Sequence, residues 1–288
     1  MKKELLFPLT AVLGGAAAFV LRLLQNRTGF EASTGLPIPG NPAGLALIAL
    51  LLVLAAVMIW LVRRMPKETD PGPAFPDAFS TSNTALLTLP VMGVFLIALA
   101  GLTDVAEAMG AGNLITAMQN AAAGGTEATV EIPGILLSGK MQLILGLLSL
   151  LSAVCLFFAV ITCRQAETSQ NQPTEIFLLV PPAALVIRLV MIYRLDSVNP
   201  SLQEYYVTLL ALVFLTLGFY RLSSFAFQAG LTRNFALYTG MAIVFSLAAL
   251  ADGGYYLSSL LLYLGGALTL LGFLLLLTGK AAENEGSV

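Results

Sequence analysis

The sequence predicts an all-α fold, a polytopic bundle of about eight transmembrane helices, on three observations. Of its 288 residues, 58% are hydrophobic and only 10% charged, where a soluble domain carries roughly 25% charged residues. Eight apolar stretches approach the length needed to cross a hydrocarbon core. That length is about 20 residues of helix, because every peptide group must find its hydrogen bond inside the segment. Lys and Arg also concentrate in alternate connections between these stretches, as they do in membrane proteins.

Taken in order, the spans run Leu5 to Leu24, Ala43 to Val62, Leu86 to Leu102, Met141 to Cys163, Ile176 to Tyr193, Tyr205 to Tyr220, Phe235 to Ala251 and Tyr256 to Thr278. They make one integral membrane domain covering residues 1–288. Span 1 follows Lys2-Lys3, and its small residues Gly14 to Ala18 resemble a signal-peptide cleavage site. The apolar run continues through Val20 to Leu24, so it reads as an uncleaved span; cleavage would leave seven. Spans 6 and 7 are among the shortest, and seven is the alternative count on that ground too. Pro8, Pro90 and Pro181-Pro182 are expected to kink spans 1, 3 and 5. The small residues of span 1, with Gly265, Gly266 and Gly272 in span 8, suit close helix packing.

With the N-terminus inside, Lys2, Lys3, Arg63, Arg64, Lys67, Arg164, Arg221, Arg233 and Lys280 fall on the inner side, and only Arg27, Lys140 and Arg194 in outer loops. That bias places both termini in the cytoplasm. Tyr193, Tyr205, Tyr206, Tyr220, Tyr255 and Tyr256 fall at the span ends, where an apolar ring with a polar tip is best accommodated. Two connections are long. The inner one, Arg63 to Ala85, carries Pro66, Pro71, Pro73 and Pro76 among charges and is expected to be an extended, solvated linker. The outer one, Thr103 to Gly139, spaces Val105, Met109, Ile115 and Met118 as a helix on the membrane face, or a lid, would.

The chemistry is bounded mainly by what is missing. The chain has no histidine, which removes the usual general base and the commonest metal ligand, and with them Ser-His, Cys-His and His-Glu-x-x-His chemistry. No nucleotide-binding motif occurs, so neither catalysis nor a cofactor or metal is expected. A net charge of -2 offers no basic stripe for nucleic acid. Cys155 and Cys163 lie eight residues apart in one span, too far along a helix for a disulfide, and read as small buried hydrophobes.

One pattern stands out. Span 1 ends with Arg22, followed by Arg27 and then Asn41-Pro42 before span 2; span 5 ends with Arg188, followed by Arg194 and then Asn199-Pro200 before span 6. The same order four spans apart suggests a 4+4 parallel repeat. Both copies put arginine near the outer ends, against the general charge bias. Asp104 and Asp252 adjoin span ends on that side as candidate compensating carboxylates. Arg22, Arg188, Arg194, Asp104 and Asp252 are therefore the candidate polar site, an outer vestibule for an anion, a small solute or a lipid headgroup. Against it stands a plainer reading, in which the arginines snorkel to the headgroups or form structural ion pairs. A small-solute or lipid-interacting carrier, and a non-transporting scaffold, sensor or assembly partner, are the two functions left open; protein partners are unspecified.

The stretch from Arg22 to Pro42, with Thr28-Gly29-Phe30-Glu31 and Thr34-Gly35-Leu36, resembles a segment of uncharacterised membrane proteins of Gram-positive anaerobic bacteria. The stretch Arg188 to Tyr206 is similar to a second segment of the same group, with Asp196 where the group tends to have tryptophan. The resemblance implies a bacterial cytoplasmic membrane and no catalytic residue.

Overall fold

In the computed structural model, eight helices are long and apolar enough to cross a membrane. The structure describes residues 6–31, 36–65, 73–81, 83–109, 139–165, 177–196, 202–252 and 257–286. The helices are α1 (Leu6–Thr28), α2 (Pro42–Arg63), a short α3 (Phe75–Phe79), α4 (Thr84–Ala108), α5 (Gly139–Gln165), α6 (Val180–Asp196), α7 (Leu202–Ala226), α8 (Thr232–Ala249) and α9 (Leu257–Gly286). A 3₁₀ turn, Leu250–Asp252, extends α8. No strand occurs among the described residues; Phe30 and Pro37 make an isolated bridge in the α1–α2 connection.

Seven of the eight predicted spans match helices, most of which run further at their ends, by as much as eight residues in α9, and the other, span 5, is matched by α6 with a preceding 3₁₀ turn. The extra length arises because polar residues can continue a helix beyond the oil. Local chemistry sets the start of α2. The Asn41 carbonyl oxygen of the side chain accepts from the backbone N–H of Ala43 (2.9 Å) and Gly44 (3.2 Å), and Pro42 follows at the first helical position, where its missing N–H costs nothing. The same amide donates to the Thr28 carbonyl (2.7 Å), tying the cap to the end of α1. Its sequence counterpart, Asn199-Pro200, lies outside the described residues.

Only one of the expected proline kinks remains physically motivated. Pro8, Pro181 and Pro182 fall in the first turns of α1 and α6 as described, where no intrahelical hydrogen bond is lost. Pro90 lies inside α4. It packs against α9: a Cβ on Gly272 would come within 2.4 Å of Pro90 Cδ. Along the same contact, Cβ atoms on Gly93 or Gly265 would collide with the opposite backbone at 2.5–2.7 Å. Glycine is therefore required for α4 and α9 to touch backbone to backbone.

Helix packing produces a ring. α4 packs on α5, α5 on α6, α6 on α7, α7 on α9 and α9 back on α4. α8 packs on α7 and α9 outside this ring, and α1 and α2 pack on α8. The two halves of the suggested repeat thus have different helix neighbours.

The inner segment is not a linker throughout. Phe75–Phe79 forms α3, with Phe75, Ala78 and Phe79 buried. Proline at the second helical position, Pro76, suits a helix start, and the i, i+4 spacing puts both rings on one face. Phe79 is surrounded by Phe225 of α7, Phe235 of α8 and Phe273 of α9 at ring separations of 5.1–5.7 Å. The Thr81 N–H donates to the Cys163 carbonyl of α5 (3.1 Å). α3 therefore sits across one end of the ring. In the other long connection, Val105 belongs to α4 and Met109 caps it; Ile115 and Met118 lie outside the described residues.

Candidate functional site

The end of the bundle opposite α3 holds two buried ion pairs. Arg22 Nε donates to Asp252 Oδ1 at 2.5 Å, and Arg188 Nη1 donates to Asp104 Oδ2 at 2.9 Å. The arginine side chains are 1% and 5% exposed, their carboxylate partners 14% and 4%. Burial follows from helix position. Both arginines lie well inside their helices, and an uncompensated charge there is costly enough that a carboxylate must meet each one. Neither snorkels. Asp104, expected at a span end, lies within α4 about one turn before its terminus, because the helix continues to Ala108.

Around Arg22 the guanidinium and the Asp252 carboxylate are engaged, while the buried Tyr206 hydroxyl meets no hydrogen-bond partner among the described residues. Arg22 Nη1 donates to Gln25 Oε1 (2.9 Å), and its guanidinium lies 5.4 Å from the ring centre of Tyr206. Asp252 also accepts from Asn26 Nδ2 (3.1 Å) and Thr208 Oγ1 (3.0 Å). Three donors on one carboxylate hold its charge without solvent. Tyr206, expected at the interface, is instead part of this cluster.

Around Arg188 the arrangement is less complete. Nη1 also donates to Ser149 Oγ, and Nη2 to Ser258 Oγ, both at 3.3 Å. One side chain on α6 thus reaches α4, α5 and α9 across the ring. Its Nε is buried and meets no acceptor among the described residues. An unsatisfied buried donor costs about 1–3 kcal/mol, so it is not a neutral detail.

Arg188 also lines a cavity inside the ring, with walls from α4, α5, α6, α7 and α9 that include Ile97, Ser152, Ala184, Leu215 and Gly266. The cavity volume is about 20 Å³. That is room for about one water, since roughly 10–15 Å³ on this measure suffices for one. Pro181 also borders the cavity. Seven residues separate it from Arg188, about 10 Å along the helix, so the cavity extends from the ion pair toward mid-bundle.

The sequence-predicted residues therefore divide into Arg22 with Asp252 and Arg188 with Asp104. Arg194 is exposed on the last turn of α6. The groups described around the two arginines form separate clusters rather than one vestibule. Each pairing joins the two sequence halves, span 1 to span 7 and span 5 to span 3. Sequence reading missed Gln25, Asn26, Thr208 and Ser258; their signal is polarity within a turn or two of a span end.

Cys155 and Cys163 are buried free thiols. Among the described residues no group of three or more His, Cys, Asp or Glu is placed to hold a metal ion. No known family, curated protein or solved structure matches the chain.

Proposed function

We propose that this integral membrane protein is a carrier of a small solute, with its binding site in the cavity of the α4–α5–α6–α7–α9 ring. The observation that carries the reading is the Arg188 guanidinium, buried on the cavity wall with its Nε–H meeting no acceptor among the described residues. The surrounding architecture supports it. The Arg188–Asp104 pair lies across one end of the ring and α3 across the other, as in an occluded state. Arg22–Asp252, outside the ring, braces α1 against α8. The charge bias of the loops and the resemblance to bacterial membrane proteins support a bacterial cytoplasmic membrane, with the termini and α3 inside and the arginine pairs outside.

Reconstituted into liposomes, the full chain is expected to give influx of small solutes above that of protein-free vesicles. Ala184→Leu, which adds bulk to the cavity wall and leaves the ion pair untouched, is expected to slow it severalfold. Influx equal to empty vesicles for every solute tried, with a membrane partner recovered in stoichiometric amount, would favour a non-transporting scaffold. That alternative draws on α2, which buries a narrow face on α1 and α8 and leaves Leu45, Leu52 and Val53 exposed.

A further inference from the structure

We propose that Arg221, between α7 and α8 at the end of the bundle that carries α3, binds the phosphate of an anionic membrane lipid. Three of the described arginines lie more than a turn inside a helix, Arg22, Arg188 and Arg221. The first two each have a carboxylate as countercharge. Arg221 has none: among the described residues it pairs with no acid and donates to no acceptor. A cation left in that state at a membrane protein's surface calls for an anion from outside the chain.

Its position is nevertheless fixed. The guanidinium carbon lies 5.7 Å from the ring centre of Tyr220 and 5.5 Å from that of Tyr238 on α8, and the π faces hold the cation without neutralising it. Of the three nitrogens only Nε is fully buried. The two terminal nitrogens are therefore the ones an oxyanion can reach, and a phosphate meets such a pair with two parallel N–H···O bonds. Tyr220 is 51% exposed, so the site opens on the outer surface of the bundle and not into it. Arg221 stands five residues before the end of α7, about 7–8 Å at the helical rise, a depth its long stem covers in reaching the headgroups. The anion a bilayer supplies there is a lipid phosphate. Arg63, Arg64, Arg164 and Arg233 lie at the same end, against Asp77 among the described acidic side chains. That excess of positive charge favours a lipid of net negative charge over a zwitterionic one, whose own ammonium balances its phosphate. The site lies apart from the ring cavity and stands whether or not the protein carries a solute.

Native mass spectrometry of the purified full chain, with dioleoylphosphatidylglycerol and dioleoylphosphatidylcholine supplied together, reads the site. The native protein is expected to retain phosphatidylglycerol in preference, and Arg221→Gln to bind it about tenfold more weakly. That variant strands no partner charge, so its thermal unfolding in lipid-free detergent should match that of the native chain. Arg64→Gln removes an exposed arginine at the same end and should leave the preference unchanged. A second measurement leaves Arg221 in place: p-benzoylphenylalanine substituted for Tyr220 should cross-link phosphatidylglycerol over phosphatidylcholine, and substituted for Leu52 on α2, also exposed, should not discriminate. Equal retention of the two lipids, native affinity in folded Arg221→Gln, an equal loss in Arg64→Gln, or no discrimination at position 220 would each overturn the assignment. Displacement of the lipid by inorganic phosphate at equal concentration would also overturn it, by giving the site to a free anion.

Discussion

Arg22 shows how a single charge in a span constrains distant parts of the chain. Its partner Asp252 lies 230 residues away, and each would be an uncompensated buried charge without the other. Arg22→Met is expected to destabilise the protein by about 3–5 kcal/mol, while the double variant Arg22→Met/Asp252→Asn should recover much of that loss, because removing both charges also removes their desolvation cost. Unfolding of single and double variants in mixed detergent measures the difference; a double variant as unstable as Arg22→Met would contradict the pairing. The identities of both arginines and both aspartates were legible in the sequence, because charge near a span end is conspicuous against an apolar background. Which carboxylate met which arginine was not legible, since pairing depends on helix neighbours. Ser258 was equally hidden, an ordinary serine until α9 brings it to Arg188.

At the scale of the element, span positions were legible because peptide burial in oil demands a long apolar helix, and α1 to α9 leave little freedom once that length is met. The glycine contacts were only half visible. Gly265 and Gly272 stand out in span 8, yet Gly93, and the pair Gly101 and Gly146 that brings α4 against α5, gain meaning only from their opposite helix. α3 was missed because prolines and charges dominate residues 63 to 85, and five helical residues are too few to outweigh them by composition. The legible signal was Phe75-Pro76 followed by Phe79, a proline helix start with aromatic residues one turn apart. Phe79→Ala should cost about 3–5 kcal/mol by the cavity it leaves among Phe225, Phe235 and Phe273. Labelling gives a second check. Ala78→Cys, in a Cys155→Ala/Cys163→Ala background, should resist a water-soluble maleimide that modifies Asn83→Cys, whereas equal reaction rates would mean that α3 does not dock.

For the whole molecule, an even number of crossings returns the chain to the face where it began, so tags at residue 1 and residue 288 should be accessible from the same side, the cytoplasm by the loop charges. Protease protection in oriented vesicles checks this, and tags on opposite faces would remove one span. The ring itself could not be read from the sequence, because any two apolar helices are compatible until side-chain shape selects neighbours. What joins the ring to the candidate site is Arg188, reaching from α6 to Asp104 across the cavity. Exchanging the two charges tests that bridge most directly. Arg188→Asp and Asp104→Arg are each expected to destabilise the detergent-solubilised protein strongly, and the double exchange to restore at least half of the loss in thermal unfolding. A double exchange no more stable than the worse single variant, or single variants as stable as the native chain, would contradict the account.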